Sequence, residues 1–217
     1  MGETAEPKPL MPVGPKPILW HIMKLYATQS FTDFILCLGY KGEKVREYFE
    51  ENNSENWNIQ FVDTGQESTK SERILKIKHL IPDEDFALAY GDDIADIDLN
   101  KLLKFHEYMG LTLTLTAVKL ISPFGVLELS EDNVITKFKE KPVFDQWMNG
   151  GFMMVNRKIF DALGKGELEN EVFEHLVDIR QICAYKHKGN WKTMNTLKDS
   201  IELNNLWDTG KAFWKIW

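Results

Sequence analysis

The chain has 217 residues, of which 43% are hydrophobic and 27% are charged, the composition of an ordinary globular protein. Its 26 Lys and Arg against 33 Asp and Glu give a formal net charge of −7, which argues against a nucleic-acid-binding surface. The sequence opens on polar residues rather than a signal peptide, and no apolar stretch approaches the ~20 residues that cross a bilayer, so we expect a soluble, cytoplasmic protein. Cys37 and Cys183 both lie in apolar runs and are expected to be buried free thiols.

The first half of the chain alternates short apolar runs with segments of helical periodicity. The runs at 34–38 and 86–90 are apolar throughout, as in strands that are buried on both faces of a parallel sheet. Further elements predicted here are a strand at 59–62 and helices at 18–26, 45–49, 74–81 and 99–109. Strands that alternate with helices indicate βαβ units and a doubly wound, Rossmann-type α/β sheet that is mostly parallel.

The second half is richer in short strands. Residues 111–116 alternate strictly between leucine and threonine, which is the period of a strand. Further strands are predicted at 126–129, 135–138, 152–155 and 182–186, and helices at 158–163, 172–177 and 197–207. We therefore expect one α/β domain over residues 1–217, with extra short strands in its C-terminal half.

The beginning of the sequence departs from this fold class. A doubly wound sheet usually opens with an apolar strand that leads into a glycine-rich turn. Residues 1–16 are instead polar and proline-rich, and a helix is predicted directly after Pro17. Either the first strand is absent or it is supplied from outside this sequence. Both alternatives predict an unpaired edge or a gap in the parallel sheet.

Carboxylates follow the second fully apolar run. Tyr90-Gly91-Asp92-Asp93 stands at the carboxyl end of the strand predicted at 86–90, where open α/β sheets bind their ligands. Mg²⁺ prefers one or two carboxylates together with phosphate oxygens, so Asp92 is a candidate metal ligand. The alternative is that both aspartates only form a turn and cap the next helix.

Three other segments present polar groups beside prolines or glycines. Lys8 lies between two prolines that stiffen the backbone, so it is either a phosphate-binding lysine or a solvated loop residue. Glu140 and Lys141 end a predicted strand, either as contacts to a sugar and its phosphate or as a surface ion pair. Asn149-Gly150-Gly151 precedes a strand, and its glycines permit either a close ligand approach or a plain hairpin turn.

Other kinds of chemistry find little support in the sequence. Asn195 or Thr196 is expected to cap the final helix. The five histidines are scattered, and neither a Ser/His/Asp arrangement nor a zinc-ligand spacing is present. The seven tryptophans are expected in the core or at an interface rather than as platforms for a ligand.

Together these segments resemble the sugar-1-phosphate nucleotidyltransferase family. The resemblance is carried, in order, by Glu6-Pro7-Lys8-Pro9-Leu10, Tyr90-Gly91-Asp92, Glu140-Lys141-Pro142 and Asn149-Gly150-Gly151-Phe152. Within the family, Val62-Asp63-Thr64-Gly65 and residues 210–217 are most similar to glucose-1-phosphate cytidylyltransferases. The match extends over essentially the whole chain.

The resemblance implies roles for individual residues. Lys8 corresponds to the lysine that binds the phosphates of the nucleotide, and Arg73 to an arginine near the substrate phosphates, so both are predicted to be catalytic. The resemblance also implies that Glu140 and Gly151 contact the sugar and that Lys141 contacts its phosphate. It implies a substrate-binding role for Asn149, and contacts to Mg²⁺ by Asp92 and Asn195.

The implied reaction joins an NTP to a sugar-1-phosphate and releases pyrophosphate without a covalent intermediate. The sequence departs from the family in three places. The glycine-rich phosphate loop is expected before Gly2 and is not found there, the base-binding turn reads Thr69-Lys70-Ser71-Glu72-Arg73 where the family has glycines, and Asn195 stands where the family usually has aspartate. The alternative function is a catalytically impaired sugar-nucleotide-binding domain with a regulatory or assembly role. The sequence fixes neither the base nor the sugar nor the oligomeric state, and the resemblance admits a homo-oligomer, which the family often forms.

Overall fold

A computed structural model describes residues 6–82, 85–164 and 166–217. The strands are β1 (Pro12–Val13), β2 (Lys16–Pro17), β3 (Asp33–Leu38), β4 (Asn58–Asp63), β5 (Phe86–Ala89), β6 (Asp93–Ala95), β7 (Leu113–Val118), β8 (Val126–Leu129), β9 (Ile135–Lys139), β10 (Met148–Val155), β11 (Ile182–Lys186) and β12 (Trp191–Thr193). The α-helices are α1 (Ile18–Ala27), α2 (Gly42–Asn52), α3 (Lys70–Lys76), α4 (Leu99–Met109), α5 (Glu174–Asp178) and α6 (Leu197–Asp208). Short 3₁₀ turns lie at Lys8–Leu10, Lys78–Leu80 and Arg157–Asp161, and a π-helical turn at Leu168–Phe173 precedes α5.

Most predicted elements are confirmed, with shifted ends. The helix predicted at 74–81 begins earlier, at Lys70, because Thr69 and Glu72 form a capping box in which each side chain binds the other's backbone N–H. The helix predicted at 158–163 is a 3₁₀ turn. The pairs β1–β2 and β6–β12 were not predicted, since strands of two or three residues are too short to show a period.

The sheet confirms the doubly wound α/β class but is mixed in direction. Its four-stranded part has the order β11-β7-β10-β5, in which β11 runs parallel to β7, whereas β10 runs antiparallel to both β7 and β5. A separate parallel pair joins β3 to β4 in register from Asp33–Asn58 to Leu38–Asp63. The hairpin β8–β9 pairs only with itself among the described strands.

Strands β3 and β5 belong to separate sheets. No pairing between described residues joins β3 to β5. A cavity of about 860 Å³ lies between these two strands and is lined by both of them, by α1 and by α3. We call this cavity the slot.

Helix α1 and strand β10 organise the core. Eight of the ten residues of α1 are buried, which is far more than the one apolar stripe of a surface helix. Strand β10 is buried on both faces, because Phe152 and Met154 pack in the cluster that contains α1, whereas Met153 and Val155 pack in a second cluster with α5. No helix among the described residues combines the length and apolar character that a bilayer span requires. Cys37 and Cys183 are free thiols that are partly buried.

Tryptophans surround a buried histidine, as expected for core residues. The rings of Trp207, Trp214 and Trp217 lie 5.0–6.2 Å from the His21 ring, centroid to centroid, and Trp214 is fully buried. Nε2–H of His21 donates to the carbonyl of Val13 at 2.8 Å. Burial lowers the pKa of His21 to about 4, so the folded protein holds a neutral imidazole at this position.

We expect His21 to make the protein less stable as the pH falls from 6.5 towards 4. Below pH 6.5 the unfolded chain binds a proton at His21, whereas the folded protein does not bind it until about pH 4. Proton binding therefore stabilises the unfolded state relative to the folded state over that window, with no further effect below it. The accumulated loss is about 3 kcal/mol of unfolding free energy. Urea unfolding of wild type and His21→Gln across this range measures it, because the difference between the two profiles isolates His21. Parallel profiles would show that His21 titrates normally in the folded protein.

Candidate active site

Three distant segments bring Lys8, Asp92 and Asn195 together. The Lys8 ammonium donates to Oδ2 of Asp92 at 2.5 Å and to Oδ1 of Asn195 at 2.6 Å. Lys8 lies in the 3₁₀ turn that follows Pro7, Asp92 in the turn after β5, and Asn195 directly after β12. Strand β6 pairs with β12, and a hydrogen bond from Met194 N to Asp92 O at 2.9 Å extends this pairing. The pairing holds Asp92 and Asn195 side by side. All three side chains line the slot, at the end where the carboxyl end of β5 lies.

The side chain of Asn195 belongs to this cluster rather than to the helix cap. Thr196 caps α6, and its capping box with Asp199 satisfies the first backbone N–H groups of the helix. Asp199 also accepts from the backbone N–H of Asn195 at 3.0 Å. The Asn195 amide is thereby held with its oxygen on Lys8 and its nitrogen donating to Oγ1 of Thr193 at 3.0 Å.

The two aspartates of the turn do not cap the next helix, so that alternative is wrong. Asp98 caps α4, accepting from Lys101 N at 2.9 Å. Asp93 is 6% exposed and begins β6. Burial, and after it the neighbouring Asp92 carboxylate, raises the pKa of Asp93 to about 7, against an opposing hydrogen bond from Thr193. Asp93 therefore takes up a proton at a higher pH than an ordinary carboxyl group. The sequence did not reveal this property, because the burial of Asp93 depends on the pairing of β6 with β12.

Asn149 and Gly151 lie within β10, not in a hairpin turn. The ladder between β10 and β7 shifts register between Asn149 and Met153, and Gly151 has a φ of +76°. Oδ1 of Asn149 accepts from Gly151 N at 3.0 Å. A Cβ at position 151 would lie 2.0 Å from Oδ2 of Asp93. Glycine is thus required at this bulge by the backbone and by the buried carboxyl group it contacts.

A second polar cluster, not predicted from the sequence, flanks the site. The Tyr90 hydroxyl donates to Oε1 of Glu169 at 2.6 Å, and Lys70 forms an ion pair with the same oxygen. The Lys70 ammonium also lies 4.3 Å from the centroid of the Tyr90 ring. Burial raises the pKa of Tyr90, and its hydrogen bond to Glu169 adds to that effect. Lys70 is thus a second cation at the same end of the slot.

Arg73 lines the slot, but its guanidinium is bound by the turns that follow β3 and β4. It donates to the carbonyl of Leu38 at 3.0 Å, to Oγ1 of Thr64 at 2.6 Å and to the carbonyl of Gln66 at 3.0 Å. These bonds fix the turns that follow β3 and β4. The geometry therefore favours a positioning role for Arg73, and its direct contact with a phosphate stays a prediction.

Comparison with known proteins decides the family. The sequence model of the nucleotidyl transferase family matches residues 4–213. This chain belongs to the nucleotidyl transferase family. It is 39% identical to the probable glucose-1-phosphate cytidylyltransferase of Bacillus subtilis over 97% of this chain and 92% of that protein. It is 37% identical to the glucose-1-phosphate cytidylyltransferase of Salmonella typhi over 98% of this chain and 92% of that protein.

A solved structure confirms the fold of this nucleotidyl transferase. HddC from Yersinia pseudotuberculosis superposes with a TM-score of 0.74 at 19% identity, over 94% of this chain and 91% of that one. At this identity the likeness concerns the fold alone. It agrees with the doubly wound α/β class expected from the alternation of strands and helices.

Glu140 and Lys141 lie apart from the cluster around Lys8. Both are exposed at the end of β9, and neither lines the slot. Lys141 has a φ of +45°, an uncommon value for a residue with a Cβ. Their contacts with a sugar phosphate stay predictions from the resemblance. In the part of the chain that the structure describes, no three His, Cys, Asp or Glu side chains form a metal-binding group.

Gly151→Ala is expected to destabilise the protein more than Gly110→Ala. Both glycines have positive φ, but a Cβ at Gly110 meets nothing within 4 Å, whereas one at Gly151 overlaps Asp93. Both variants are destabilised by the strain of a Cβ at positive φ, and Gly151→Ala loses ~1–3 kcal/mol more of unfolding free energy from overpacking. Thermal unfolding measures the difference. The double variant Asp93→Gly/Gly151→Ala should recover part of it, and equal losses in the two single variants would contradict the proposed contact.

Proposed function

We propose that this nucleotidyl transferase couples CTP to a glucose-1-phosphate-like sugar phosphate, giving a CDP-sugar and pyrophosphate. The observation that carries the proposal is the Lys8–Asp92–Asn195 cluster, in which one ammonium and two oxygen ligands meet at the carboxyl end of β5. Ligands of open α/β sheets bind at such strand ends. The choice of CTP and glucose-1-phosphate rests on the two relatives at 37–39% identity.

The proposed reaction is a direct displacement at phosphorus. An oxygen of the sugar phosphate forms a bond to the α-phosphorus of CTP, the bond from that phosphorus to the bridging oxygen of the β-phosphate breaks, and pyrophosphate leaves. Lys8 would release Asp92 and Asn195 and bind phosphate oxygens, stabilising the charge that develops during transfer. Lys70 supplies a second positive charge near the same strand end.

The oxygens around Lys8 fit a magnesium ion. The carboxylate of Asp92 and the amide oxygen of Asn195 already converge on one cation, the Lys8 ammonium, and oxygen ligands of this kind are those that Mg²⁺ prefers. Asp92 and Asn195 would hold the ion together with substrate phosphates. When bound there, Mg²⁺ would neutralise phosphate charge.

A pyrophosphate-release assay tests the activity. Purified protein is incubated with each of the four common NTPs and with glucose-1-phosphate, in the presence and absence of Mg²⁺. We expect turnover that depends on Mg²⁺ and is fastest with CTP. Binding of CDP-glucose without pyrophosphate release would instead support the catalytically impaired sugar-nucleotide-binding domain. A faster reaction with another NTP would overturn the assignment of the base.

Removing the Lys8 ammonium should expose the metal site. In Lys8→Met the cation that competes with the metal is lost, so Mn²⁺ should bind more tightly without nucleotide while turnover falls. Asn195→Asp adds a carboxylate, worth on the order of 1 kcal/mol of attraction at 4 Å in water, although it also strengthens the hold on Lys8. The double variant should therefore bind Mn²⁺ most tightly, and Asp92→Asn should lose metal-dependent turnover.

Titration with Mn²⁺, followed by electron paramagnetic resonance, measures these affinities independently of activity. Asn205→Asp adds the same charge to an exposed position of α6 and serves as the control. Unchanged affinity in both Lys8→Met and Asn195→Asp would show that this cluster does not hold the metal.

Lys141→Ala tests the proposed contact with the sugar phosphate. Loss of a charged hydrogen bond should weaken sugar-phosphate binding by about 1.5–3 kcal/mol and leave the KM for CTP nearly unchanged. Lys139→Ala, a neighbouring exposed lysine on β9, is the matched control and should behave like wild type. Equal effects of the two variants on both substrates would indicate that Lys141 is an ordinary surface residue.

The homo-oligomer and the cytoplasmic location stay predictions. The β8–β9 hairpin exposes Val126, Leu127, Leu129, Ile135 and Phe138, and a cluster of exposed apolar side chains is typical of a protein–protein interface. This exposure supports association of the chain with a further copy.

A further inference from the structure

The Lys70 ammonium is held by groups from two other segments of the chain. It forms an ion pair with Oε1 of Glu169 in the π-helical turn, and it lies 4.3 Å from the centroid of the Tyr90 ring. The Tyr90 hydroxyl donates to the same Glu169 oxygen at 2.6 Å, and the side chain of Asn149 hydrogen-bonds to that hydroxyl. Lys70 is therefore fixed in position to a degree that is unusual for an exposed lysine.

This position places the Lys70 ammonium beside the proposed active site. Tyr90 is separated from Asp92 by one residue in the turn after β5, and Asp92 accepts from Lys8. The two ammonium groups thus contact residues of a single short turn, and both lysines line the slot. An anionic ligand that reaches Lys8 therefore comes close to Lys70 as well.

Glu169 supplies Lys70 with the kind of negative charge that such a ligand would bring. Burial by itself would raise the pKa of the Glu169 carboxyl group, but the hydrogen bonds from Lys70 and Tyr90 outweigh that effect and lower the pKa. The carboxyl group is therefore ionised at neutral pH. The side chains of Lys70 and Glu169 are 49% and 34% exposed, so water and salt weaken their attraction. A polyphosphate with several negative charges can compete for the ammonium against such a partner.

The π-helical turn has anchors other than this ion pair. Leu168 and Val172 are buried in the second core cluster, and Oγ1 of Thr69 donates to the carbonyl of Gly166 at 3.3 Å. These anchors precede and follow Glu169 in the chain. The ion pair can therefore break without unfolding the turn, and π-helical turns are frequent at functional sites.

We propose that Glu169 occupies the place of a phosphate group on Lys70, and that the polyphosphate of a bound nucleotide displaces it. Lys70 then turns from Glu169 to the phosphate, while Glu169 keeps its hydrogen bond from Tyr90. Glu169 is thus a positioning residue: it holds the ammonium at the carboxyl end of β5 and lowers the affinity of the site for phosphate. The proposal rests on the proposed function, since it takes the ligand to be a nucleotide.

Binding of inorganic pyrophosphate, measured by isothermal titration calorimetry without Mg²⁺, tests this exchange. Wild type, Glu169→Gln, Lys70→Met and the double variant form a double-mutant cycle. The glutamine of Glu169→Gln can still accept from Tyr90, but it is neutral and no longer forms an ion pair. Glu171→Gln removes the same charge from an exposed position of the same turn and is the matched control.

We expect Glu169→Gln to bind pyrophosphate about three- to tenfold more tightly than wild type, and Lys70→Met to bind it about tenfold more weakly. In the Lys70→Met background, the further change Glu169→Gln should alter the affinity by less than about twofold, because Glu169 acts through Lys70. Lys70→Arg keeps the charge and should retain most of the affinity. The Tm of each variant shows that it is folded.

Three outcomes would overturn the proposal. An equal gain from Glu169→Gln with and without Lys70, or the same gain in Glu171→Gln, would reveal a general effect of charge. Unchanged affinity in all variants would show that the ion pair only fastens the turn. An equal or larger gain for glucose-1-phosphate, titrated in parallel, would assign Lys70 to the sugar phosphate instead of the polyphosphate.

The cycle is independent of turnover. Coupling between Lys70 and Glu169 in pyrophosphate binding, together with no pyrophosphate release from CTP, would support the exchange and contradict only the proposed activity.

Discussion

The structure depends on the burial of β10 on both faces and along both edges. Antiparallel pairing with β5 and β7 places Phe152 and Met154 against α1, and Met153 and Val155 against α5. No other neighbour of β5 is described, so β10 alone fixes that strand within the sheet. The bulge at its N-terminal end then sets Gly151 against the turn that carries the site carboxylates. One strand therefore links the packing of both cores to the geometry of the site.

The site concentrates opposite charges within a protein of net charge −7. The Lys8 ammonium offsets the charge of Asp92, while burial keeps Asp93 partly protonated near neutral pH. The hydrogen bonds that run from Asn195 through Thr193 to Asp93 join these groups into one network. A change of charge at any member therefore alters the protonation or position of the others.

The slot gives the sheet two separate halves that helices hold in place. Helix α1 packs against β3 on one side and against the cluster that contains Phe152 on the other, while Arg73 of α3 ties the turns after β3 and β4 together. The two halves are separate because β3 pairs with β4, whereas β5 pairs with β10. The open edge of β5 links the fold to the site, since β5 leads into the turn that carries Asp92, the partner of Lys8.

The sequence alone determined the order of the main strands and helices, because apolar runs and helical periods are properties of neighbouring residues. The contacts that form the site could not be derived from the sequence, because Lys8 binds Asp92 and Asn195, which lie 84 and 187 positions away in the chain. The assignment of the α6 cap to Thr196, the burial of Asp93 and the bulge at Gly151 all follow from the pairing of β6 with β12 and of β10 with its neighbours. Only the tertiary structure decided these three features. A strand of three residues is too short to show a hydrophobic period, and the burial of a residue depends on segments that are distant in the sequence.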